Sequence, residues 1–68
     1  MKEKMNKRII RLADVIHKTG MCRASIYKEM AENRFPKNVK LTSVAVGWIE
    51  SEIDEWIESR ILTRNNNN

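Results

Sequence analysis

One glycine, Gly20, does most to limit what this chain can fold into. It stands between two short stretches of helical periodicity, "RLADVIHKT" and "CRASIYKEMAENRF", with only Met21 beside it. Leu12, Val15 and Ile16 recur at i, i+3 and i+4, so a short first helix is expected over about Leu12–Lys18. Gly is the residue best suited to the left-handed position that closes a helix. A second helix is expected over Arg23–Glu32, with Ile26, Met30 and part of Tyr27 as its apolar stripe. Cys22 falls at its N-cap, where it is a poorer acceptor than Ser or Thr. Asn33 falls at its C-cap, and Pro36 forbids continuation.

The period then changes from helical to two. Val39 and Leu41 alternate with Lys40 and Thr42, and Val44, Val46 and Trp48 alternate with Ala45 and Gly47. This pattern reads as a β-hairpin turning near Thr42–Ser43. Ile49, Ile53, Trp56, Ile57 and Ile61 then fall on one face of a last helix. Ser51 with Asp54 has the spacing of a capping box, and Arg60 suits the other helix end. The expected division is a basic flexible arm over residues 1–10, a domain over 11–62 and a disordered Asn-rich tail over 63–68. The order α-α-β-β-α makes a mostly α fold with a small hairpin. Two short helices joined through a glycine, with a two-stranded ribbon after them, form a winged helix-turn-helix.

Composition narrows the function. At 68 residues and 41% hydrophobic content, the chain can fill one small core but not a core plus a deep substrate pocket. The residues expected in that core are Leu12, Val15, Ile16, Ile26, Met30, Phe35, Trp48, Ile53, Trp56 and Ile57. Residues 1–42 carry eleven Lys/Arg against four Asp/Glu, a net +7, while residues 43–68 carry two against five, a net −3. The basic part suits a polyanion and the acidic part turns away from one. One Cys allows no internal disulfide and fits a reducing cytoplasm, and no apolar run is long enough for a membrane span. His17, the lone histidine, is expected on the surface, and with one Cys it makes no zinc set. No nucleophile–base pair, phosphate-binding glycine loop or cofactor fingerprint is present, so no catalytic residue, metal or cofactor is expected.

From Arg11 to Ile61 the chain resembles the AlpA family of small phage and prophage regulators. The resemblance is carried by "TG…R.SIY", "RFPK.VKL" and "VGWIESEIDEWI". It implies a MerR-like winged helix-turn-helix related to phage excisionases, working as a transcriptional regulator in a prophage setting. Cys22 stands where relatives commonly have Ser, and Thr42, Ser43 and Val44 stand where a wing tip is commonly Gly-rich with an Arg.

On this reading the second helix enters the major groove by its N-terminal turn. Arg23 is a candidate for a bidentate guanine contact or a phosphate contact. Ala24, Ser25 and Tyr27 lie at the same surface, and Lys28 is a phosphate candidate. Arg34, Lys37 and Lys40 are expected along the flanking backbone, with Thr42 and Ser43 donating to phosphate at the wing tip. Arg11 and the basic arm add nonspecific attraction. The expected partner is double-stranded DNA, with an integrase or RNA polymerase as protein partner and the chain a monomer or weak dimer in the bacterial nucleoid. Two other functions share the pattern. One is an excisionase that assists an integrase, and the other is an interaction module docking through its acidic last helix.

Overall fold

The computed structural model describes residues 8–66. Its elements are β1 (Ile9–Ile10), α1 (Leu12–Thr19), α2 (Arg23–Ala31), β2 (Val39–Lys40), β3 (Val46–Ile49) and α3 (Glu50–Asn66). The five expected elements appear in the expected order, preceded by one short strand.

Both helix stops before the wing are local chemistry. Gly20 adopts φ 77° and donates its N–H to the Ile16 carbonyl at 2.8 Å. The Thr19 hydroxyl donates to the Val15 carbonyl at 2.8 Å and accepts the Met21 N–H at 3.2 Å, which straps the turn. At the other end of α1, the Asp14 carboxylate accepts the Arg11 N–H at 3.3 Å. Helix α2 ends in a Schellman motif. Asn33 takes a left-handed φ of 61° and donates to the Met30 carbonyl at 3.1 Å, and Arg34 donates to the Glu29 carbonyl at 2.8 Å.

The sheet differs from the expected hairpin. It has three strands in the order β1-β3-β2, both pairings antiparallel. Ile9 pairs with Ile49 and Ile10 with Trp48, so the expected arm over residues 1–10 ends as a strand, and Ile10 is buried. Residues 1–7 of that arm lie outside the described residues. Gly47 explains why β1 approaches so closely: a Cβ there would stand 2.5 Å from Ile9 Cγ2 and 2.9 Å from the Ile10 carbonyl oxygen.

The wing is shorter than its alternation suggested. Val39 pairs with Gly47 and Lys40 with Val46, and residues 41–45 form the turn. Leu41 and Thr42 both donate to the Ala45 carbonyl, and Thr42 Oγ1 accepts the N–H groups of Val44 and Ala45 at 3.2 and 3.0 Å. Val44, expected to alternate within a strand, is therefore a tip residue and 92% exposed.

Strand β3 passes into α3 without an intervening residue. Ile49 belongs to the strand rather than to the helix stripe, and the Glu50 N–H donates to the Arg8 carbonyl at 2.7 Å. Ser51 is thus inside the helix, and its expected capping box with Asp54 does not form. The helix also continues to Asn66, through residues assigned to the tail.

Ile10, Val15, Ile26, Met30, Phe35, Trp48 and Ile53 make the core, with Leu12, Ile16, Trp56 and Ile57 packed against it. Val15, Ile26, Trp48 and Ile53 are fully buried, each worth about 1.5–3 kcal/mol or more relative to exposure. Phe35 and Trp56 meet edge to face at 4.8 Å, and Trp56 Nε1 donates to the Arg34 carbonyl at 2.8 Å. This bond fixes the segment after α2 against α3.

Candidate nucleic-acid interface

Helix α2 buries Ile26 and Met30 and leaves Arg23, Ala24, Lys28 and Ala31 exposed. Ala24, Lys28 and Ala31 follow at i, i+4 and i+7, a low outward ridge with one cation in its middle. Ala31 was not anticipated as part of this surface; its small side chain and helical spacing were the available signal. Tyr27 is half-buried. Its ring meets the edge of Trp48 at 6.2 Å and carries the Arg23 guanidinium 5.7 Å from its centre. The core therefore supports Tyr27, and Tyr27 in turn supports Arg23.

Cys22 is the N-cap and makes no side-chain cap hydrogen bond. Its thiol lies 3.4 Å from the Ser25 hydroxyl, and that hydrogen bond, helped by first-turn backbone N–H groups, draws the thiol pKa below its ordinary value. The N-terminal turn of α2 keeps the partial positive charge that favours an anion near it.

The basic residues from Arg11 to Lys40 divide into two sets. Lys18 bridges Glu50 at 3.1 Å and Asp54 at 2.8 Å, tying α1 to α3. These partners, Asp54 first, raise its pKa. Arg34 donates to Glu29 through Nε at 2.8 Å and Nη2 at 3.3 Å and also pairs with Glu32. It holds the Glu29 carboxyl below its usual range. Arg34, expected along the DNA backbone, is thus occupied with carboxylates at the C-terminal end of α2. Arg11 donates through Nε to the Val46 carbonyl at 2.9 Å, bracing α1 against the wing.

Arg23, Lys28, Lys37 and Lys40 form the other set. All four are exposed, and none pairs with a carboxylate among the described residues. Lys40 lies on β2, and Lys37 lines a groove with Phe35, Pro36 and Trp56. Ser43 is exposed at the tip, while Thr42 has turned its oxygen inward to the turn. His17 is exposed, as expected. No group of three or more His, Cys, Asp or Glu is placed to hold a metal among the described residues. No helix there is long and apolar enough to cross a membrane.

Residues 8–61, nearly the whole described structure, match the family described as prophage CP4-57 regulatory protein (AlpA). The chain belongs to the AlpA family. The DNA-binding transcriptional activator AlpA of Escherichia coli (strain K12) is 49% identical, with 78% of this chain and 84% of that protein covered. An uncharacterized protein, ORF88, of Enterobacteria phage P4 is 34% identical, with 85% of this chain and 66% of that one covered. The AlpA match spans α1, the Gly20 turn, α2, the wing and the first two-thirds of α3.

Proposed function

We propose that this AlpA-family regulator binds duplex DNA by placing the outward ridge of α2 in the major groove, with the wing along the flanking backbone. One observation carries the reading. Acidic side chains occupy Lys18 and Arg34, whereas Arg23 and Lys28 on α2 and Lys37 and Lys40 toward the wing have no carboxylate partner among the described residues. Arg23, held by the Tyr27 ring, is the base-reading group, with a guanine edge as its target. Lys28, Lys37, Lys40 and the N-terminal turn of α2 take phosphates, and Ser25 and Ser43 add hydroxyl contacts. Thr42 shapes the tip and keeps only its hydroxyl proton for DNA. The protein acts by occupancy rather than catalysis, in the cytoplasm, on prophage-type promoters. The Escherichia coli relative's name, a transcriptional activator, supports this reading.

Titration of duplex DNA against salt tests it. Log affinity should fall with log salt by about 0.9 for each phosphate neutralised. A flat response would refute the DNA reading.

A further inference from the structure

The C-terminal half of α3 extends past the core with two unlike sides. On one side, Trp56, Ile57 and Ile61 floor an open groove of about 340 Å³ between this helix and the end of α1. Lys18, Arg60 and Arg64 rim it. Lys18 is already held by Glu50 and Asp54, but no carboxylate among the described residues lies within salt-bridge distance of Arg60 or Arg64. Among the described residues Arg64 hydrogen-bonds Asn65 Oδ1, at 3.4 Å. On the other side, Glu55, Glu58 and Leu62 follow at i, i+3 and i+7 and are all exposed, Leu62 by 52%. The groove is apolar with a cationic rim, and the ridge is two carboxylates followed by a leucine. Each side offers what the other lacks.

We infer that the Glu55–Glu58–Leu62 ridge of one copy docks in the Arg60–Arg64 groove of a second copy. The two patches differ and lie on opposite sides of the helix, so the contact is head to tail and leaves each copy with one patch open to a further copy. It is small, so free chains associate weakly. Copies bound side by side on one duplex meet at far higher effective concentration, and there the contact appears as cooperative filling of adjacent sites. The inference rests on the DNA reading above only for this last step.

The test uses the sequence that wild-type protein enriches from a random duplex pool. One duplex carries a single copy and others carry two copies at spacings stepped through one helical turn. Wild type should fill a correctly spaced pair with about tenfold cooperativity or more. Leu62→Ser, Glu58→Arg and Arg64→Glu should each abolish it while single-copy binding and Tm hold. A mixture of the Glu58→Arg and Arg64→Glu chains, or the double variant, should restore it, which a merely structural role would not produce. Independent filling by wild type at every spacing, with single-copy binding intact, overturns the inference and leaves the DNA reading standing. Sedimentation of the free chain at high concentration reads the same contact without DNA. Association should be concentration-dependent and be lost in Leu62→Ser, and a strictly monomeric wild type overturns the inference even if DNA binding itself fails.

Discussion

The guanidinium of Arg23 rests 5.7 Å from the centre of the Tyr27 ring, and that same ring meets Trp48 of the core edge to face at 6.2 Å. Orientation of the first basic group on α2 is thus linked to core packing. Arg23→Ala should cost about 1–3 kcal/mol at the preferred site and relax base choice at one position. Tyr27→Phe should keep both stability and affinity. Tyr27→Ala should lower stability by about 2 kcal/mol and blur specificity with it. Competition binding over single-base variants of the site, with urea unfolding, checks all three; full specificity in Tyr27→Ala would break the link.

Lys40 and Arg34 carry the same charge and should behave differently. Lys40→Ala should weaken all duplex sequences about equally and reduce the salt slope by about 1. Arg34→Ala should leave the slope nearly unchanged and lower Tm instead, because its guanidinium serves Glu29 and Glu32. Equal slope changes for the two variants would mean that Arg34 also meets phosphate.

At Gly47 the sheet has no room for a side chain. Gly47→Ala must push Ile9 and the Ile10 carbonyl away, at about 1–3 kcal/mol. Gly20→Ala meets open space but a φ of 77°, and should cost about 1 kcal/mol through backbone strain alone. Amide exchange separates the two: only Gly47→Ala should speed exchange at Glu50, whose N–H is held by Arg8.

Acid should loosen the end of α2. Arg34 depresses the folded-state pKa of Glu29, so that carboxylate contributes stability above its unfolded pKa. The contribution is lost as pH falls through the lower, folded-state value. Glu29→Gln should therefore narrow the gap in Tm between neutral and acidic solution relative to wild type. An unchanged gap would show that the pair contributes nothing to pH dependence. Lys18 works in the opposite sense: its raised pKa places the loss of its contribution on the strongly alkaline side.

Much of the fold was legible because its signals are local. Gly20 and Asn33 both stop helices by left-handed geometry that sequence chemistry announces. The buried positions Val15, Ile26 and Ile53 follow from helical spacing. Strand β1 was not legible, since Ile9 and Ile10 become a strand only through Gly47, far along the chain, which lets them approach. Val44 was misplaced because period two ran unbroken through a turn that the Thr42 hydroxyl closes. For the candidate site, residue type named the cations but not their partners. Arg34 looked as available as Lys37 until the Schellman turn placed it beside Glu29.

The join between Ile49 and Glu50 has a mechanical consequence. With no spare residue between β3 and α3, the direction of the last strand sets the direction in which the 17-residue helix starts. On the proposed DNA reading, the wing on the duplex and the Leu62–Arg64 end of the helix are thereby parts of one continuous run of backbone.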